Sequence, residues 1–288
     1  MKKQAIVTAV VSVIVLFSVT SCKKDGVYNP DKRISKVYES TIDSNGALTP
    51  KTLQQTWIWG DKTLEKIIYA NGGIMNFTYN SKNQLIKGET DSLSMEITYK
   101  NNKYDQMTLY VSGETLVIFT FSHKNGKISQ VEVDMDLGLI FGESFFASPS
   151  LKSAMNLVLP EPVTQSVLEI SKAEKRRKAN TVTLTIKYKW EKDNIVEANA
   201  TFSIFGSSKT TMEYDNHINP FKNLVIGTAV GTLDLSNTGG DGFSKNNVVK
   251  VTATSTGTPE VANISYKYDG DYPIEKITES GVIYYEYM

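Results

Sequence analysis

The sequence predicts an all-β protein, a long curved antiparallel meander or an open barrel of roughly 14–17 strands. The first observation is a phrase of paired bulky residues that returns about every twenty residues: WIW (57–59), FTY (77–79), ITY (97–99) and FTF (119–121). Successive strand side chains point to opposite faces, so both members of each pair share one face. The second observation is the polar turn that follows each pair, and the third is the return of the phrase in the C-terminal half.

Each pair runs into a turn rich in Gly, Asn, Asp, Ser or Lys, residues that favour turns or tolerate positive φ. A bulky residue follows each turn, and these residues are Leu64, Leu85, Tyr104 and Ile128. Strand, turn and strand form a hairpin, and hairpins in series form an antiparallel meander. The later copies are YKWEKDNIVEA (188–198), YKYDGDYPIEKI (266–277) and YYEY (284–287).

The segment from about 138 to 180 differs from the hairpin pattern. Val163, Val167 and Leu168 have helical spacing, and the KRRK run (175–178) falls where a helix dipole favours cations. We expect one or two short helices here, covering part of the sheet. The KRRK run is interpreted as a solvated helix end, with binding of an anionic ligand as the alternative.

The first residues have the pattern of an export signal. A basic MKK start precedes the apolar run AIVTAVVSVIVLFSVT, which is short for a membrane span of ~20 residues. The run leads to Val19-Thr20-Ser21-Cys22, which contains the only cysteine of the chain and resembles the lipobox of bacterial lipoproteins. We predict a signal peptide over 1–21, a lipidated tether over 22–31 joined to the membrane through Cys22, and a β domain over 32–288. An ordinary signal peptide that leaves a free thiol is the alternative.

The charge balance excludes one class of partner. Cleavage before Cys22 removes two lysines and leaves 29 basic against 31 acidic residues, a net charge of −2. Binding to nucleic acid depends on a basic patch or stripe, so we expect no nucleic-acid partner.

The sequence contains none of the common catalytic motifs. HExxH, GxSxG, GxxxxGK[ST] and GxGxxG are all absent, and the only histidines are His123 and His217. Each histidine is expected in an exposed turn, and a Cys/His zinc cluster cannot be assembled from this set. We therefore predict no catalytic residue, no metal site and no cofactor.

Two groups of acidic residues are possible sites. Glu132, Asp134 and Asp136 alternate along VEVDMDL (131–137), about 7 Å apart on one strand face. They could serve glycoside cleavage or hold calcium, but a water-facing strand face is the simpler interpretation, and we favour it. Asp234, Asn237 and Asp241 in DLSNTGGDG could likewise bind calcium, but a flexible loop is the interpretation that we favour.

The repeated aromatic residues have two interpretations. Trp57 and Trp59 could form a platform that stacks against sugar rings. Because every other hairpin carries a similar pair, a core built from these pairs is the simpler interpretation. We expect Tyr79 and Tyr99 to lie in this core.

Five phrases in order carry a resemblance to a known group: YNPDKRISKVY (28–38), WIWGDKTLEKI (57–67), INPFKNL (218–224), SKNNVVKV (244–251) and YKYDGDYPIEKI (266–277). Together they resemble a family of Bacteroidetes envelope lipoproteins of unknown function, and the hairpin phrase is similar to tyrosine-aspartate repeats. The resemblance implies a porin-like antiparallel β fold and a place in the cell envelope, at the outer membrane. It implies no catalytic or binding residue.

Two functions follow as hypotheses. The first is a non-enzymatic envelope lipoprotein whose β surface binds a glycan, a peptide or a partner protein. The second is a secreted, glycosidase-like hydrolase that uses strand carboxylates such as Glu132 and Asp134. The absence of a catalytic motif favours the first. The basic Lys23-Lys24 after Cys22 leaves both a periplasmic and a surface orientation open.

Overall fold

A computed structural model describes residues 24–91, 93–136, 181–203, 206–224, 242–254 and 259–288. These residues form seventeen β-strands and no helix. In chain order the strands are β1 (Ile34–Thr41), β2 (Thr52–Trp59), β3 (Leu64–Tyr69), β4 (Ile74–Tyr79), β5 (Leu85–Glu89), β6 (Leu93–Lys100), β7 (Lys103–Val111), β8 (Glu114–Lys124), β9 (Lys127–Asp136), β10 (Thr181–Glu191), β11 (Asn194–Phe202), β12 (Gly206–Ile218), β13 (Asn246–Thr254), β14 (Glu260–Asn263), β15 (Ser265–Asp269), β16 (Tyr272–Thr278) and β17 (Gly281–Tyr287). The all-β prediction is confirmed.

The strands form an antiparallel meander that closes on itself. Neighbours in sequence pair from β1 through to β14 and again from β15 to β17. The sheet closes because β17 pairs with β1, with Tyr285 opposite Val37. At one seam, β14 pairs with β13 while β15, one residue later, pairs with β16. The result is a nearly closed barrel.

The helices expected from about 138 to 180, together with the KRRK run (175–178), lie outside the described residues. No helix with the length and apolarity of a membrane span occurs in the part of the chain that the structure describes.

Strand direction gives the barrel two distinct ends. The end reached by β2, β4, β6, β8, β10, β12, β15 and β17 is called the tether end, because residues 24–33 also lie there. It comprises 24–33, the turns at 60–63, 80–84, 101–102, 125–126, 192–193 and 270–271, and residues 219–224 and 242–245. The opposite end, called the far end, comprises the other hairpin connections, including 42–51, 70–73 and 112–113.

Every repeated hairpin of the tether end carries the same irregularity. The strand register shifts close to the turn, at an aromatic residue such as Trp59, Tyr79 or Tyr99, or at His123. The extra residue lies on the strand after the turn, opposite this residue, and such a β-bulge increases the local twist. The turn residues then take positive φ, as at Asn83, Asn101 and Asn102, which asparagine tolerates better than most residues. The recurring sequence phrase is thus an aromatic residue, an asparagine-rich turn and a β-bulge on the strand that follows.

The aromatic residues that lie opposite these bulges bond to the neighbouring hairpin. Each donates a hydrogen bond from its ring nitrogen or hydroxyl to a backbone carbonyl at the start of an earlier strand. The pairs are Trp59 to Ile34 (2.7 Å), Tyr79 to Leu64 (2.7 Å), Tyr99 to Leu85 (2.5 Å), Trp190 to Ile128 (2.6 Å), Tyr214 to Ile195 (2.6 Å) and Tyr287 to Pro273 (2.7 Å). Buried polar groups are thereby satisfied around the tether end.

The two faces of the wall differ sharply. Inward residues such as Trp57, Val133 and Leu184 are almost fully buried in the core. The outward face carries cross-strand ion pairs, namely Lys209–Glu197 (2.7 Å), Lys250–Glu213 (2.8 Å) and Lys267–Glu275 (2.8 Å). A lipid-facing wall would present an apolar band instead. The described wall therefore has the polarity of a surface in contact with water.

Candidate functional site

The N-terminal segment is held across the tether end by backbone hydrogen bonds. The Asp25 amide donates to the Asn102 carbonyl (3.0 Å), and the Gly26 carbonyl accepts from the Leu85 amide (3.0 Å). The Gln84 side chain donates to the Asp25 carbonyl at 2.9 Å. Residues 25 and 26 are therefore fixed to two successive hairpins, close to the predicted lipidation site.

The Asp25 carboxylate anchors this contact. It accepts hydrogen bonds from Lys103 Nζ (3.0 Å) and the Tyr104 amide (3.2 Å), and lies 3.3 Å from His123 Nε2. Burial acts to raise the pKa of Asp25. Its effect is outweighed by the hydrogen bonds from His123 and Lys103, by the charge of Lys103 and by the Tyr104 amide, which together hold the pKa below its usual value. Asp25 is thus kept ionised by three groups from β7 and β8.

Gly26 is required by both conformation and space. Its φ of +74° lies in the left-handed region, which glycine occupies without steric cost. A Cβ atom at this position would overlap the Tyr99 hydroxyl. The segment can approach the barrel this closely only because residue 26 has no side chain.

Tyr28 continues the contact into the interior of the barrel. Its side chain is 2% exposed and its hydroxyl donates to the Pro220 carbonyl at 2.9 Å. Its ring centroid lies 6.5 Å from that of Trp57 and 5.5 Å from that of Trp59. Phe221 packs on Trp57 at 6.3 Å from the other side. Side chains of the N-terminal segment and of the β12–β13 connection therefore fill the tether end.

This packing decides between the two interpretations of the aromatic pairs. Trp57 is 2% exposed and donates to Gln55 Oε1, while Trp59 bonds to the Ile34 carbonyl and lies beneath Arg33. Tyr79 and Tyr99 are half-buried and pack against the same core. The core interpretation is confirmed for Trp57, Tyr79 and Tyr99, and a sugar-stacking platform at Trp57 is excluded by its burial.

A second polar cluster closes the seam between β14 and β15. Asp215 accepts hydrogen bonds from the His217 amide (2.9 Å), from the Asn247 amide (3.2 Å) and from the Tyr268 hydroxyl. The His217 ring stacks on Tyr268, with centroids 3.8 Å apart. Burial, and then the hydrogen bond and charge of Asp215, raise the pKa of Tyr268 well above its usual value. Asp215 thereby links β12, β13 and β15.

The expectation that both histidines lie in exposed turns was wrong. His123 belongs to β8 and His217 to β12, and each lies near an aspartate. His123 lies opposite the bulge of its hairpin, the position that Trp59 and Tyr99 take in other copies. The missed signal was its spacing, because His123 lies five residues before Ile128 just as Trp59 lies five before Leu64.

Glu132 and Asp134 of the β9 carboxylate row lie on the outer wall. Val131, Val133 and Met135 are buried, while Glu132 is exposed and accepts from the Gln130 side chain at 2.9 Å. Asp134 accepts from Thr183 Oγ1 at 2.7 Å. These partners are those of a water-facing strand, as the simpler interpretation expected.

The described residues contain no group of three or more histidine, cysteine, aspartate or glutamate side chains placed to hold a metal ion. Cys22, and the loop residues Asp234, Asn237 and Asp241, lie outside the described ranges, so their proposed roles stay predictions.

The fold has similar solved structures, although no known protein family and no curated protein matches the sequence. A porin-like protein from Bacteroides vulgatus is 10% identical, with a TM-score of 0.49, over 90% of this chain and 99% of that chain. A porin-like protein from Bacteroides uniformis is 12% identical, with a TM-score of 0.44, over 92% of this chain and 100% of that chain.

Proposed function

We propose that the protein is a non-enzymatic envelope lipoprotein, held to a membrane through Cys22, whose β surface binds a glycan, a peptide or a partner protein. The observation that carries this proposal is the fixed position of Asp25 on the tether end. Asp25 lies three positions after Cys22, and three extended residues span at most ~11 Å. An anchor at Cys22 would hold the tether end near the membrane.

The polarity of the barrel supports display in water. The outer wall carries ion pairs and threonines, and the apolar residues fill the interior. With the tether end held at the membrane, the wall and the far end would point away from it. These are the surfaces that we propose as binding surfaces.

Fractionation of cells that produce a Cys22→Ala variant tests the anchor. Bacterial lipoproteins carry several acyl chains, which hold far more firmly than one, so we expect the parent in the membrane fraction and the variant in the aqueous fraction. Ser21→Ala is the matched control, since it keeps the cysteine and should stay with the membrane. Membrane retention of Cys22→Ala would refute the anchor.

A binding screen tests the second half of the proposal. The Cys22→Ala chain, purified from the aqueous fraction, would be titrated with glycans and peptides typical of an envelope while its tryptophan fluorescence is recorded. Saturable binding supports the display function. Turnover of a glycan, abolished by Glu132→Gln or Asp134→Asn, would instead establish the hydrolase.

A further inference from the structure

Among the described residues, the two ends of the barrel have opposite net charge. For the tether end, we count the charged side chains of its described residues and of the strand residues that flank its turns. It carries twelve basic side chains (Lys24, Lys32, Arg33, Lys62, Lys82, Lys100, Lys103, Lys124, Lys127, Lys192, Lys222 and Lys245) against seven acidic ones (Asp25, Asp31, Asp61, Glu191, Asp193, Asp269 and Asp271), a net charge of +5.

The far end, counted in the same way, is acidic. Its six acidic side chains (Asp43, Glu89, Asp91, Glu114, Glu260 and Glu279) stand against one lysine, Lys51, a net charge of −5 among the described residues. Within the described part of the chain, charge is therefore separated along the barrel axis.

Much of the acidic charge at the tether end is already neutralised internally. Asp25 pairs with Lys103 (3.0 Å), Asp193 with Lys127 (3.4 Å) and Asp269 with Lys32 (3.0 Å). Three other lysines of this end, Lys82, Lys100 and Lys124, have exposed side chains. Lys82 donates to the amide oxygen of Asn102, a neutral partner that leaves its charge in place.

These lysines surround the point where the N-terminal segment meets the barrel. Lys82, Lys100 and Lys124 belong to the hairpins β4–β5, β6–β7 and β8–β9. The same three hairpins supply Gln84, Asn102 and His123, which hold Asp25 and its backbone. The exposed basic patch of Lys82, Lys100 and Lys124 therefore lies where the chain leaves towards Cys22.

We propose that the tether end docks on an anionic phospholipid surface through this basic patch. The proposal rests on the membrane location proposed above and adds an orientation to it. An acyl anchor alone leaves the barrel free to tilt, whereas an anchor combined with a polybasic patch supplies two signals. The acidic residues described at the far end are repelled by the same surface, which favours the same orientation. Because the Debye length is about 8 Å at physiological salt, the short span from Cys22 keeps the patch within range of the headgroups.

Lysine footprinting of the anchored protein measures the orientation. The lipidated chain would be reconstituted into vesicles of phosphatidylglycerol and phosphatidylethanolamine, or into phosphatidylcholine vesicles, and labelled with a membrane-impermeant acylating reagent. Mass spectrometry would then give the labelling rate of each lysine. We expect Lys82, Lys100 and Lys124 to be protected severalfold in the anionic vesicles only, with Lys51 at the far end labelled equally in both.

A charge-reversal variant supplies the second measurement. Each lysine near an anionic surface changes binding by about fivefold, so the triple variant K82E, K100E and K124E should lose the protection of the remaining tether-end lysines, such as Lys62. The matched control is K51E, K187E and K209E, which changes the net charge equally but away from the tether end. It should keep the protection.

The outcomes separate docking from anchoring. Anchored protein whose tether-end lysines react as fast as Lys51 would overturn the docking and leave the anchor intact. Two results would overturn the electrostatic basis of the docking. One is equal protection in phosphatidylcholine vesicles, and the other is protection that survives ~1 M salt, where the Debye length is about 3 Å. If the protein does not co-float with either kind of vesicle, the lipid anchor is refuted. Lysine labelling of this unanchored protein, with and without excess anionic vesicles, still tests the docking.

Discussion

The hydroxyl of Tyr99 donates a hydrogen bond to the backbone carbonyl of Leu85, with 2.5 Å between the two oxygens. This bond joins the end of β6 to the start of β5, and the same hydroxyl lies against Gly26 of the N-terminal segment. The ring also packs on Tyr104, with centroids 5.4 Å apart. One repeat residue therefore connects two hairpins to the docked N-terminal segment.

Tyr99→Phe should lower the free energy of unfolding by about 1 kcal/mol, because the ring stays but the hydrogen bond is lost. Tyr99→Ala should cost roughly 3–5 kcal/mol, because it also leaves a cavity. Urea denaturation followed by tryptophan fluorescence measures both. Tyr110→Phe is the control, since its hydroxyl makes only an exposed 3.5 Å contact with Glu96, and it should stay within ~0.5 kcal/mol. Equal stability of Tyr99→Ala and the parent would refute the core role.

The contribution of the Asp25 carboxylate to folding stability should fall as the pH is lowered. Its pKa in the folded protein is below the ordinary value of 3.8, so the folded state binds the proton less readily than the unfolded chain. The resulting stabilisation is complete above pH 3.8 and is lost as the pH falls from there through the folded pKa. We expect Asp25→Asn to lose this part of the pH dependence. Thermal melts between about pH 2 and 6 measure it.

The matched control is Asp105→Asn on the exposed face of β7, which should retain the acid transition of the parent. Limited proteolysis of the N-terminal segment gives an independent measurement, since Asp25→Asn should make cleavage near Lys24 faster at neutral pH. An acid transition in Asp25→Asn identical to that of the parent would show that the carboxylate does not stabilise the contact.

The Asp215 cluster should determine the stability of the seam. Asp215→Ala leaves the Asn247 amide and the Tyr268 hydroxyl without their acceptor, and each such partly buried group costs ~1–3 kcal/mol. We expect a loss of about 2–4 kcal/mol in unfolding free energy, with faster amide hydrogen exchange in β13 and β15. Asp269→Ala, which removes an exposed pair with Lys32, should cost less than ~1 kcal/mol. Equal exchange rates at the seam in both variants would contradict the linking role.

Removal of divalent metal should leave the protein unchanged. The described residues offer no metal-binding cluster, so a chelator should not shift the melting temperature. The measurement is a thermal melt with and without excess EDTA, followed by addition of calcium. A drop of many degrees that calcium reverses would favour a site at Asp234, Asn237 and Asp241, which Asp241→Asn should then abolish.

The sequence by itself determined the strands and their two faces. The alternation Val131, Glu132, Val133 and Asp134 specifies which side chains enter the core, because successive strand residues point to opposite faces. The aromatic pairs and Asn-rich turns specify where each hairpin ends, as at Tyr99 and Asn101. Both properties are local, since they depend on residues within a few positions of one another.

Only the tertiary structure decided closure, the docking of the N-terminal segment and the link across the seam. Val37 pairs with Tyr285 across nearly the whole chain, and His123 meets Asp25 over a separation of 98 residues. No local pattern specifies such contacts, because they arise only after the twist and bulges of many strands accumulate to bring distant residues together. The polar neighbours of His123 therefore predict a turn, whereas the structure places His123 in β8, 3.3 Å from Asp25.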